Sequence, residues 1–114
     1  MSDLLTRDDY TAIAAGLSFP TDAYIDGAYR PAGAGGTLET RNPATGAVLA
    51  RVAACDGADV DFAVRRARET FERGDWARMH PADRKQVLIR LCKLIQRNRH
   101  ELAVLESLDA GKPI

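Results

Sequence analysis

The sequence predicts a mixed α/β fold: one N-terminal helix, short β-hairpins, then three helices, with the architecture incomplete in this chain. Three observations predict it. Asp26-Gly27 lies between short aromatic or aliphatic flanks, Tyr24-Ile25 and Ala28-Tyr29, a strong local hairpin signal because a type I′ turn needs two residues with positive φ. Apolar residues alternate at Val48, Ala50 and Val52 but recur at helical spacing from Val60 onward. Finally, every predicted helix carries one apolar side and isolated hairpins are marginal in water, so these faces need a partner surface. The expectation is that this surface lies downstream.

The elements follow in order. Thr6 to Leu17 has helix formers with Tyr10, Ile13, Ala14 and Leu17 on one side, and Gly16 is a plausible end. After the Asp26-Gly27 hairpin, Pro31 to Gly36 reads as a loop. Thr37 to Arg41 and Val48 to Ala53 form a second strand pair around the breaker cluster Asn42-Pro43-Ala44-Thr45-Gly46. Asp56 sits where a helix N-cap would, followed by Asp59 and Asp61, which complement the helix dipole. Val60, Ala63, Val64, Ala67 and Phe71 form the apolar stripe of that helix, which ends before Gly74. Pro81 fits the first position of the next helix, whose stripe is Val87, Leu88, Leu91, Cys92, Leu94 and Ile95. Asn98-Arg99-His100-Glu101 has the form of a capping box and predicts a new helix. That helix is expected to bury Leu102, Leu105 and Leu108 and to stop at Gly111, with Pro113 just beyond.

Composition narrows the function classes. The chain has 114 residues, enough for one domain at most, with 16 basic and 16 acidic side chains and a formal net charge of zero. Residues 1 to 56 carry four basic and seven acidic groups and residues 57 to 114 carry twelve and nine. The charges are interleaved on predicted polar faces, so they read as solvated surface, with no nucleic acid as partner. No apolar run is long enough to span a bilayer, and Met1-Ser2-Asp3 lacks the basic region of a signal peptide. The expected location is cytoplasmic, with no membrane partner. Two cysteines far apart in sequence form neither a disulfide framework nor a metal-ligand pair.

Local motifs name no activity. Gly33-Ala34-Gly35-Gly36-Thr37-Leu38 lacks the last glycine of a dinucleotide fingerprint and opens no helix. Gly111-Lys112 is followed by proline and has Glu106 where a phosphate loop needs glycine. Cys92 lies on an apolar stripe, where burial would suppress the thiolate. Cys55 precedes a helix start, which would lower a thiol pKa, but no histidine lies nearby in sequence to act as base. His80 and His100 read as surface or capping residues, and Trp76 as a packing anchor between two helices. Asp109 is an acid at a helix C-terminus, where the dipole disfavours negative charge. A neighbouring lysine or backbone N–H is the plainer compensation for it, a bound cation the other.

Four segments, in order, carry a family resemblance: Tyr24-Ile25-Asp26-Gly27; Arg41-Asn42-Pro43-Ala44-Thr45-Gly46; Asp59-Val60-Asp61 with Ala63-Val64 and Ala67-Arg68; and Leu105-Glu106-Ser107-Leu108-Asp109-Ala110-Gly111-Lys112-Pro113-Ile114. Together they resemble the N-terminal part of the NAD(P)-dependent aldehyde dehydrogenases. Phe71-Glu72-Arg73-Gly74-Asp75-Trp76 and the N-terminal helical extension look most like bacterial members acting on γ-glutamyl-γ-aminobutyraldehyde and related amino-aldehydes.

The resemblance implies the leading part of a Rossmann-type fold, with residues 1–23 as a helical extension and 24–114 as a truncated N-terminal part of the coenzyme-binding domain. It implies NAD or NADP as coenzyme of the full-length enzyme, an aldehyde as substrate and assembly as a homo-oligomer. The family's nucleophilic cysteine, general-base glutamate and coenzyme-binding residues would lie beyond Ile114, so no catalytic or cofactor-binding residue is expected here. Neither Cys55 nor Cys92 sits in a matching motif. One site carries over: a structural Na⁺ or K⁺ held by main-chain oxygens of Thr40 and Arg41 and by the Asp109 carboxylate. The chain alone is expected to be inactive. A non-catalytic interaction module derived from such an enzyme is the alternative.

Overall fold

The computed structural model describes residues 4–114; Met1-Ser2-Asp3 lies outside the described residues. Helix α1 (Arg7–Gly16) opens on a capping box that sequence periodicity alone did not reveal. The Thr6 hydroxyl oxygen accepts from the Asp9 N–H at 3.2 Å, and the Asp9 carboxylate accepts from the Thr6 N–H at 3.0 Å and from its hydroxyl at 2.6 Å. These bonds, the one from the hydroxyl foremost, hold the Asp9 carboxyl below the usual carboxylate range.

Strands β1 (Ala23–Ile25) and β2 (Ala28–Arg30) pair antiparallel, with Tyr24 opposite Tyr29 and the two rings edge-on at 5.0 Å. Asp26 and Gly27 turn the chain at φ 53° and 79°, as a type I′ turn requires. Strands β3 (Thr37–Arg41) and β4 (Val48–Ala53) form a second two-stranded sheet. Its register breaks at one point: Thr40 faces Ala50 but Arg41 faces Val48, which leaves Leu49 as the extra residue of a β-bulge. Between these strands Asn42 accepts from the Ala44 N–H through its side chain and from the Gly46 N–H through its carbonyl, closing the Asn-Pro-Ala-Thr-Gly turn.

Helix α2 (Gly57–Arg73) starts at Asp56, whose carboxylate accepts from the N–H groups of Ala58 and Asp59 at 2.9 and 3.2 Å. Asp59 completes the box by accepting from the Asp56 N–H at 3.1 Å, and it also accepts from Gly33 at 3.0 Å, tying the loop to the helix. Helix α3 (Pro81–Arg97) begins with proline in its first turn, capped by the His80 ring, which accepts from the Ala82 N–H at 3.2 Å. Helix α4 (Arg99–Ala110) ends at Gly111, in the left-handed region at φ 74°. A separate helix does begin after Asn98, but the expected capping box is absent. Asn98 is at once the C-cap of α3 and the N-cap of α4, and its amide donates backward to the Leu94 carbonyl at 2.9 Å. A side chain engaged with the preceding helix cannot cap the following one.

Packing is sparse. Helix α1 lies on α4, and α3 touches α4 near their junction. Val104 of α4, 2% exposed, and Ala32 are the buried hydrophobic residues among those described. Leu105 and Leu108 are half-buried, while Leu102 is exposed, so Val104 rather than Leu102 marks the covered side of α4. The stripe of α1 is half-buried throughout. The stripes of α2 and α3 are largely uncovered: Phe71 is 71% exposed, and Leu88, Leu91, Leu94 and Ile95 about half. Cys92 is likewise exposed, against the expected burial, and Trp76 is 46% exposed instead of pinning two helices. The amphipathic pattern marks the apolar side of each helix, and this chain covers it only in part: the β1–β2 hairpin reaches α2 through Asp26 and Arg30, and Ala63 and Val87 are half-buried.

The dimensions agree. The radius of gyration is 17.9 Å, against about 13 Å for a compact domain of this length. The accessible surface is 8756 Å², where a compact protein of this mass exposes about 6,100 Å². The chain is a plate measuring 47 × 42 × 19 Å. None of its helices is long and apolar enough to cross a membrane among the described residues.

Candidate functional site

The segment before Asn42-Pro43 and the end of α4 meet in space. Thr40 and Asp109 are 69 positions apart in sequence, yet the Thr40 hydroxyl donates to the Asp109 carboxylate at 3.3 Å. Beside them Gly111 backs onto Pro43, so closely that a Cβ on Gly111 would stand 2.9 Å from the proline Cγ. Glycine is required at this point twice over, by the positive φ that ends the helix and by the proline ring against it. The same corner borders a cleft of about 450 Å³ lined by Phe19, Leu49, Val52, Leu105, Asp109 and others, which places the bulged residue Leu49 on its wall.

The charges around the corner are distributed so that Asp109 keeps an accessible carboxylate. Lys112 does not pair with it; its ammonium pairs with Glu106 at 2.6 Å, which lowers the Glu106 carboxyl and raises the lysine. The Arg41 guanidinium is engaged by the Glu39 carboxylate and by the Gly46 carbonyl at 3.0 Å. Arg51 also pairs with Glu39. Among the described residues no cationic side chain pairs with Asp109. The plainer compensation expected for this acid, a lysine or a backbone N–H, is therefore replaced by the Thr40 hydroxyl. Thr40 and Asp109 meet through the Thr40 hydroxyl, not through the main-chain oxygens expected of a cation site. All donors are oxygen, the kind that suits a hard, weakly held cation. No cluster of three or more histidine, cysteine or acidic side chains that could hold a metal exists among the described residues.

The cysteines have no catalytic setting. Partial desolvation first, then the carboxylates of Asp59 and Asp56, push the Cys55 thiol up. The direction is opposite to the lowering expected at a helix start, with desolvation its first cause. His100 stands by the Tyr10 ring, centroids 6.0 Å apart, and His80 is a cap, so neither serves a thiol. Apart from this corner, the polar contacts with a recognisable task are structural. Arg66 holds the Asp26 turn to α2, donating from Nε at 2.8 Å, and Arg30 lies over the Phe62 ring at 4.7 Å. The Asp59 clamp and the Leu49 bulge were missed in the sequence. An acid three residues after an N-cap acid was a signal for the first; nothing in the composition of β4 signals the second.

Two small hairpins and four helices, with the Asn-Pro turn locked against a helix-ending glycine, make this an α/β chain. Residues 29–114 match the aldehyde dehydrogenase family, and the chain belongs to that family. It is 54% identical over its whole length to an aminoacetaldehyde dehydrogenase of Pseudomonas aeruginosa, of which it covers 23%. Among solved structures it resembles a γ-glutamyl-γ-aminobutyraldehyde dehydrogenase of Burkholderia cenocepacia J2315, with a TM-score of 0.91 and 47% identity over 96% of this chain and 22% of that one. It also resembles the P. syringae indole-3-acetaldehyde dehydrogenase solved with NAD⁺, with a TM-score of 0.86 and 43% identity over 92% of this chain and 21% of that one. The chain thus spans about a quarter of the length of the relatives it matches, and its fold is the leading α/β part of theirs.

Proposed function

We propose that this chain is the scaffold that opens the coenzyme-binding domain of a cytoplasmic, homo-oligomeric NAD(P)-dependent aldehyde dehydrogenase acting on an amino-aldehyde. In this reading residues 1–23 form a helical extension and 24–114 the start of that domain. The observation that carries it is the corner where Thr40 meets Asp109 and Pro43 meets Gly111, since it joins the two motifs on which the family resemblance rests. Relatives named for aminoacetaldehyde and γ-glutamyl-γ-aminobutyraldehyde favour an amino-aldehyde as substrate.

NAD or NADP supplies the hydride acceptor when bound. In this reading the chain contributes no coenzyme or substrate contact and positions the surface on which the rest of the enzyme packs. The uncovered stripes of α2 and α3 support this over the alternative of a self-sufficient interaction module, which would need a covered core of its own. Within the same proposal the main-chain oxygens of Thr40 and Arg41 and the Asp109 carboxylate hold a structural Na⁺ or K⁺. The cation would neutralise an acid that otherwise faces the C-terminal end of α4.

The test uses two proteins: the 114-residue chain, and a chimera in which it replaces the matching segment of the P. aeruginosa relative. The chain alone is expected to form no NADH with any aldehyde, and the chimera to turn over an amino-aldehyde. Turnover by the chain alone, or an inactive but folded chimera, would overturn the proposal. For the cation, Asp109→Asn in the chimera should abolish any rise in melting temperature on adding K⁺ or Na⁺; an undiminished rise would remove Asp109 from the site.

A further inference from the structure

We draw no further inference here: the strongest candidate, the exposed apolar face of α3 around Leu88, Leu91 and Ile95, belongs to the uncovered surface already described, and nothing in the structure shows what covers it.

Discussion

The corner between the Asn42-Pro43 turn and the end of α4 differs sharply from the apolar stripes of α2 and of α3. At the corner, two contacts fix residues distant in sequence, a hydroxyl on a carboxylate and a glycine against a proline, beside a turn closed locally by an asparagine. Helices α2 and α3 are well capped and well formed, yet most of the large apolar residues of their stripes stay about half or more exposed. Local chemistry is complete in both regions; burial is complete in neither. The difference separates two sources of order. Caps and turns are written within a short stretch of chain and the two corner contacts join such stretches, whereas hydrophobic stabilisation requires the surface that is to be covered.

The largest expected effect probes the apolar stripe of α3. In the chain alone, Leu91→Ala or Ile95→Ala removes side chains that are already half exposed, and far-UV circular dichroism should change little. In the chimera, where the account has these faces covered, each should cost about 2–5 kcal/mol in chemical denaturation, as buried leucine and isoleucine do. Equal and small effects in both proteins would erase the contrast between the two regions.

Next comes the corner. Gly46 and Gly111 both have positive φ, 73° and 74°, but only Gly111 has a neighbour within reach of a Cβ. Alanine at either position pays for the left-handed backbone, about 1 kcal/mol. Gly111→Ala must in addition displace Pro43, so its loss of stability in the chimera should exceed that of Gly46→Ala by about 1 kcal/mol or more. Matching losses would mean the glycine–proline contact is unimportant.

The caps give a smaller effect. Asp56→Ala removes two hydrogen bonds at the start of α2 and should cost about 1 kcal/mol of helix stability, seen as reduced helicity in the chain itself. Asn98→Ala removes no N-cap bond from α4, only the amide bond to the Leu94 carbonyl, and should cost no more than about 1 kcal/mol, felt at the end of α3. A large loss at Asn98 would restore the capping box that the sequence suggested.

Smallest is the pH dependence. Asp9 and Glu106 have carboxyls held below their ordinary range, by the Thr6 hydrogen bonds and by Lys112 respectively. Their contributions are full above the ordinary carboxylate pKa and disappear as pH falls through the lowered values. Lys112, raised by Glu106, contributes fully below the ordinary lysine pKa and loses that contribution as pH rises through its raised value. All three groups are solvent-exposed, so the slopes are shallow and weaken in salt. Asp9→Asn should flatten the acid-side loss of helicity; an unchanged titration would show that the α1 box does not contribute.

How far the sequence could be read follows the same division. The Asp26-Gly27 turn, the Asp56 cap, Pro81 at a helix start and Gly111 at a helix end were legible because each is decided by residues within one turn. Asn98 was misread for a reason equally local, since a side chain with two helices in reach chose the preceding carbonyl. The Leu49 bulge had no signal, because strand register depends on both partners. At the site, Asp109 was legible as an unfavourably placed acid, but residues alone did not identify Thr40 as its partner; the family resemblance placed the two together. Cys92, Trp76 and the stripes of α2 and α3 show the boundary most plainly. Periodicity tells which side of a helix is apolar and says nothing about whether the covering surface lies in the same 114 residues.

The most direct measurement is calorimetric unfolding of the 114-residue chain. A plate with this little burial should lose its helices gradually, without a cooperative heat-absorption peak, while the chimera unfolds cooperatively. A sharp transition of the chain alone, with an enthalpy near the roughly 80 kcal/mol expected for a folded domain of this length, would contradict the account.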